Sequence, residues 1–275
     1  FIVQDNKYFR FPVAGHNEHA NQKVLTLFED AEKNIWIGTE KGLTQYCRSR
    51  FEIFTMKDGI PSDSIHALLS DSKENYWFSS PAGLFRFHFD ASGMPQQKIY
   101  FSEKKSSDFR IVSLFEGRNG NIWVGTYGYG VYLINPETGS ITRYAEAEGL
   151  ANNNIMSICD DKDGNIWMAT LGGGVSKISF SDENYKGRMQ VKNYGEEEGI
   201  GSIYAYYAFR DSRNTIWFGT DGGGITKYDG TQFTCFNTKT GGLKSDIVYS
   251  VTEDKNGTIW FSTQESGIYS YDGKT

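Results

Sequence analysis

The stretch Asp160-Asp161-Lys162-Asp163-Gly164-Asn165 sets acids at alternate positions ahead of a glycine, the opening of a calcium loop. It lacks the glutamate such a loop needs at its twelfth position, and the equivalent stretch Gly117-Arg118-Asn119-Gly120 carries no acid. A hairpin turn is the better reading. Gly172-Gly173-Gly174 and Gly222-Gly223-Gly224 would cradle phosphate only ahead of a helix, and no helical spacing follows them. The four histidines, His16, His19, His66 and His88, lack metal-ligand spacing, and no serine elbow or Cys/His pairing accompanies them. Cys47, Cys159 and Cys235 are an odd number, each inside an apolar strand pattern, as buried free thiols would be. The residues therefore predict no catalytic group, no metal and no cofactor.

The elements that would position any site are set by repetition. All six tryptophans sit in one phrase: Asn34-Ile35-Trp36-Ile37-Gly38-Thr39 returns around Trp77, Trp123, Trp167, Trp217 and Trp260, 41–50 residues apart. Each unit parses into four short strands. An apolar run such as Val248-Tyr249-Ser250-Val251-Thr252-Glu253 is followed by a tight turn, the tryptophan strand, a glycine-rich turn, a third strand such as Val175-Ser176-Lys177-Ile178, and an aromatic outer strand such as Gln232-Phe233-Thr234-Cys235-Phe236. Four antiparallel strands per repeat predict propeller blades.

Position by position the units say more. Nine and twelve residues before the tryptophan every copy is apolar (Leu27 and Val24 in the first), as expected where neighbouring blades pack face to face. Six before it stands Asp in five copies, with Gly117 the exception; an Asp there can bond to the turn backbone. The fold expected is an all-β propeller of six four-stranded blades over residues 1–275, with essentially no helix. The last unit stops after Tyr269-Ser270-Tyr271, while Lys7-Tyr8-Phe9-Arg10-Phe11 is a spare strand pattern. Pairing residues 7–13 with 267–271 would close six blades. The alternative is part of a propeller of seven or more blades, because Phe1-Ile2-Val3 resembles a further third strand.

Bulk properties exclude some classes. Net charge is −6, the sequence pI is about 5.3 and basic runs are short, which argues against a nucleic-acid partner or an anionic-membrane surface. No apolar stretch is long enough to span a bilayer. A chain that opens on Phe1 rather than Met reads as mature or excised from something longer.

Binding is then sought where side chains break the repeat at the end of the blades that carries the loops into first strands and between second and third strands. Four residues after the tryptophan the series is Glu40, Pro81, Tyr127, Leu171, Asp221, Gln264; thirteen before it, Lys23, Ser64, Arg110, Asn154, Tyr204, Ile247. Tyr129 follows Tyr127 across a glycine, and Tyr206 and Tyr207 follow Tyr204. Flat aromatics beside a cation and carboxylates suit stacking on, and hydrogen bonding to, a sugar-like ligand. The candidate ligand-binding residues are Arg110, Tyr127, Tyr129, Tyr204, Asp221 and Gln264. Propellers also host enzymes, lyases and glycosidases among them, and serve as protein-docking or dimerisation scaffolds, so those two readings stay open beside recognition.

The sequence resembles the two-component regulator propeller repeat. The lead-ins Gly59-Ile60-Pro61-Ser62-Asp63-Ser64-Ile65 and Gly149-Leu150-Ala151-Asn152-Asn153-Asn154-Ile155 carry the resemblance, with Asp163-Gly164-Asn165-Ile166-Trp167-Met168-Ala169-Thr170 and Ile225-Thr226-Lys227-Tyr228-Asp229-Gly230. The second unit departs most, with Ser79-Ser80 and Pro81-Ala82-Gly83. The resemblance implies a periplasmic sensing module of a membrane-bound histidine kinase, responding to a glycan fragment. The membrane helix and kinase activity would lie in parts of a parent chain outside these residues. A small-molecule or oligosaccharide ligand is the expected partner, and a homodimer is compatible with the reading.

Overall fold

The computed structural model describes residues 2–4, 7–9, 23–30, 33–47, 50–58, 60, 62–89, 95–101 and 109–273. His16 and His19, Gly59 and Pro61 of one lead-in, and Arg10–Val13 of the closing segment lie outside them, as does the side chain of Cys47. The chain is all-β, with propeller blades as the repeat predicts and, among the described residues, only two single-turn 3-10 segments, Met56–Asp58 and Glu146–Glu148. It divides into two compact units, residues 1–104 and 105–275.

The first unit holds the hairpin of Ile2–Gln4 with Lys7–Phe9 and two four-stranded blades, Val24–Phe54 and Ala67–Tyr100 in outline. The second unit holds three four-stranded blades and one of three strands. Its fourth blade is typical: Ile155–Asp160, Ile166–Thr170, Gly174–Phe180 and Met189–Tyr194 pair antiparallel in sequence order.

Closure by residues 7–13 is not found among the described residues. Lys7–Phe9 pairs with Ile2–Gln4, and among the described residues Gly267–Tyr271 pairs only with Ile259–Thr263. A strand takes the partner its own tight turn delivers before a distant edge, because loop closure costs more entropy at longer range. The pairing matches that of third and fourth strands in the complete blades, in line with the alternative reading of Phe1-Ile2-Val3.

The Asp six residues ahead of each tryptophan does more than the turn requires. Asp161 Oδ1 accepts the backbone N–H groups of Asp163 and Asn165 at 3.0 Å, while its Oδ2 accepts the Trp167 indole N–H at 2.9 Å. The same indole bond forms at Asp30, Asp71, Asp211 and Asp254, at 2.8–3.0 Å. One carboxylate thus ties the hairpin turn to the ring that fills the space between blades. Burial pushes the Asp161 carboxyl up, and bonds from Asn165 and Trp167 outweigh it, so the group titrates below the ordinary range; Asp30 behaves likewise.

Within the second unit, a ring followed by another blade is roofed by it. Trp123 clusters with Ile158, Met168 and Ile178 of the fourth blade, Trp167 with Ala205, Ala208 and Phe218 of the fifth, and Trp217 with Val248, Val251 and Phe261 of the sixth. Five tryptophans are at most 5% exposed, but Trp260 is 41% exposed. Val24 and Leu27 are also exposed. This corrects the expectation of uniform burial.

In five blades the first strand carries a register shift between the residues twelve and ten before the tryptophan, as between Ile111 and Ser113. A bulge there bends the strand and frees one side chain from the ladder. Facing it stands the glycine of the tryptophan phrase: a Cβ on Gly125 would collide with Ser113 Oγ and come 2.8 Å from the Ile155 carbonyl.

Two measurements check this account. Trp167→Ala should cost ~3–5 kcal/mol in denaturant melts, and Trp260→Ala about 1 kcal/mol, because only the former empties a closed core. Unfolding followed against pH should show a stability plateau above about pH 5 and a decline below about pH 4, where the unfolded chain takes up protons that Asp30 and Asp161 resist in the fold.

Candidate functional site

The loop-bearing end of the second unit is held by a backbone pattern that repeats even where its side chains do not. The Thr three residues after the tryptophan bonds the carbonyl of the glycine that closes the turn, from Thr126 to Gly130 (2.6 Å), Thr170 to Gly174 (3.0 Å), Thr220 to Gly224 (2.9 Å) and Thr263 to Gly267 (2.9 Å). The next residue then donates its N–H to the residue thirteen before the tryptophan: Leu171 to Asn154, Asp221 to Tyr204 and Gln264 to Ile247. Between blades, Leu171 bridges Tyr204 and Asp221 bridges Ile247. Apart from the Thr hydroxyls, these contacts use only main chain, so the other side chains are free to differ.

Arg110 and Tyr127 are cross-strand partners at the ends of Arg110–Glu116 and Ile122–Tyr127, with the guanidinium 4.6 Å from the ring centroid and both residues exposed. Stacking of this kind orients a cation that would otherwise sample many rotamers. Tyr129 sits between Gly128 and Gly130, both at positive φ. It is half-buried, edge-on to Phe109 at 5.3 Å, and its carbonyl accepts Arg143 Nε at 2.8 Å. Tyr204 is 47% exposed, and its carbonyl accepts the Asp221 N–H at 2.8 Å. The Asp221 carboxylate accepts the Tyr206 hydroxyl at 3.0 Å. Gln264 is linked to this group through the Ile247 backbone alone.

The six candidates thus fall into two clusters, Arg110, Tyr127 and Tyr129 on the third blade and Tyr204 and Asp221 on the fifth, with Gln264 at the margin. Sequence reasoning left Tyr206, Tyr249, Phe109, Arg143 and Asn154 out of the candidate set. Tyr206 and Tyr249 lie 5.6 Å apart, ring to ring. Both stand eleven residues before a tryptophan, at the bulge, and reading that column across the units would have found them. Asn154 keeps a buried Oδ1 without a hydrogen-bond partner, 4.0 Å from where a Cβ on Gly128 would lie.

At the opposite end of the third and fourth blades a cavity of about 310 Å³ is lined by Arg118, Asp163, Phe180, Glu183 and Tyr185, among others. The acids of the 160–165 stretch are engaged there. Asp160 pairs with Arg118 at 3.5 Å and Arg210 at 2.9 Å, and Asp161 holds its turn and its tryptophan. Among the described residues no group of three His, Cys, Asp or Glu side chains is placed to hold a metal ion. The glycine triplets are turns: a Cβ on Gly224, at φ +76°, would strike the Phe236 carbonyl. Cys159 is a buried thiol whose pKa burial drives far up, and Cys235 is half-buried.

With that geometry in hand, the repeat can be matched to known proteins. The two component regulator propeller matches residues 19–41, 105–128, 149–172 and 242–265. The chain carries two component regulator propeller repeats. A histidine kinase of Formosa agariphila is 27% identical over 115 residues, 40% of this chain and 8% of its own length. The extracellular domain of a hybrid two component system from B. thetaiotaomicron superposes with a TM-score of 0.74 at 25% identity, over 92% of this chain and 34% of that one. A virginiamycin B lyase from Staphylococcus aureus superposes at 0.69 with 14% identity, over 90% of this chain and 80% of the lyase, which shows likeness of fold alone. The repeat chain therefore spans a minor part of the sensor proteins it resembles.

Burial raises the Tyr206 phenol above its ordinary value, helped by its bond to the Asp221 carboxylate and by that charge. Replacing Asp221 with Asn should bring the Tyr206 titration back toward pH 10 in an ultraviolet or NMR titration.

Proposed function

We propose that this chain is the extracytoplasmic ligand-recognition module of a two component sensor, and that it binds an oligosaccharide at the loop-bearing end of its second unit. The observation that carries the reading is the division of labour just described. The main chain at these positions obeys the repeat, while the side chains depart from it toward tyrosine, arginine and carboxylate. Tyr127, Tyr204 and Tyr249 are all at least 37% exposed. Exposed aromatic faces next to hydrogen-bonding groups match the alternation of C–H faces and hydroxyl rims on a sugar. The repeat match and the likeness to an extracellular sensor domain support the setting.

A sensor needs only a few kcal/mol of differential binding to shift its output, so micromolar affinity suffices. The lyase likeness supplies a fold and no catalytic residues, and the phenols, carboxylates and arginines of the rim lack a nucleophile–base pair.

Calorimetry against a panel of oligosaccharides should find micromolar binding. Tyr127→Ala should weaken it roughly tenfold, the worth of one stacking contact, without lowering thermal stability. Turnover of a bound glycan would instead establish an enzyme. Binding untouched by joint loss of Tyr127, Arg110 and Tyr204 would move the site elsewhere.

A further inference from the structure

Three of the six arginines of the second unit pair with carboxylates. Arg118 and Arg210 both pair with Asp160, and Arg213 with Asp211 at 3.8 Å. Arg118 also donates to the carbonyls of Asp161 and Lys162, and Arg213 to that of Gly257. These side chains stitch neighbouring turns together. Arg110 and Arg143 do not. Both are exposed, and among the described residues neither has a carboxylate partner. Arg110 lies on the Tyr127 ring. Arg143 spends its Nε on the Tyr129 carbonyl, and among the described residues neither terminal nitrogen of its guanidinium has a partner.

These two free guanidinium groups flank one loop. Arg110 is the cross-strand partner of Tyr127, where the loop begins, and Arg143 is the partner of Tyr132, just after it ends. Phe109, next to Arg110, contacts Tyr129 at 5.3 Å and Tyr132 at 6.1 Å. Each cation is oriented by a contact that leaves the edge between its two terminal nitrogens for an oxyanion. Stacked and tethered in this way, they are preorganised for a negative group, which lowers the ordering cost of binding.

We infer that the ligand of this rim is an acidic oligosaccharide, its carboxylate or sulfate held by Arg110 and Arg143 while a sugar face rests on Tyr127. The inference rests on the oligosaccharide reading above and narrows it. Charge-assisted bonds at an exposed rim also make the affinity fall as salt rises.

The experiment is calorimetry on the 275-residue chain with three hexasaccharides: a galacturonate, a sulfated galactan and the unsulfated galactan. At least one acidic hexasaccharide should bind more tightly than the neutral one, and more weakly as salt is raised. Arg110→Gln and Arg143→Gln should each weaken it roughly tenfold, with melting temperatures unchanged since both side chains are exposed. Galacturonate against sulfated galactan tells which acid is read. If the neutral galactan binds at least as well as either acid, or if acidic binding survives both arginine substitutions, the inference falls while oligosaccharide recognition stands. If none of the three binds the unaltered chain, both fall.

Discussion

A single carboxylate between a turn and an indole does most to make this sequence a stack of blades. Asp161 takes two backbone N–H groups with one oxygen and the Trp167 N–H with the other. The hairpin between the first two strands is therefore never independent of the ring that fills the gap to the next blade. Burying the indole without that acceptor would strand a donor in an apolar layer, and leaving the carboxylate without its donors would bury a charge. In the five blades that carry the pair, each residue offsets the cost of burying the other. That mutual dependence explains why Asp and Trp travel together at a separation of six, and why the apolar roof from the next blade can close over the ring.

The third blade shows what happens when the carboxylate is missing. Gly117 replaces the Asp, and Trp123 is fully buried with an indole N–H that makes no good hydrogen bond. The space is taken from the neighbouring blade: a Cβ on residue 117 would lie 2.6 Å from the Tyr185 hydroxyl, and the Tyr185 ring meets Trp123 edge-on at 5.3 Å. Tyr185 reaches this place with a left-handed backbone, φ 56°, a strained conformation for a bulky residue that its packing must over-determine. An electrostatic clamp within one blade has been exchanged for an aromatic clamp between two.

How much of this was legible follows from which interactions are local in sequence. The blades were readable because the tryptophan phrase, its glycine turn and its Asp all lie within a dozen residues and recur. The Asp–indole bond was half-read: the turn role follows from spacing, but the indole contact needs the ring's direction. Tyr206 and Tyr249 escaped because the bulge skips one residue, so the simple alternation of faces fails at that point. Lys7–Phe9 is a strand, as its pattern predicts, and its partner among the described residues is Ile2–Gln4, since alternation specifies a face and not an edge. Burial of Trp260 was overestimated because repetition of a residue does not guarantee repetition of its roof.

The rim follows from the same constraint in reverse. Everything that must be identical for blades to stack is carried by main chain, by Thr hydroxyls and by glycines that admit close approach, as the Thr126–Gly130 and Thr220–Gly224 pairs show. Side chains at the loop-bearing end enter none of those bonds. Arg110, Tyr127 and Tyr204 can therefore change without disturbing the blades, and a scaffold of this kind can be retuned to a new ligand one rim residue at a time. On the proposed reading, the residues that break the repeat are where specificity would reside, and they are the residues whose loss should leave the fold standing.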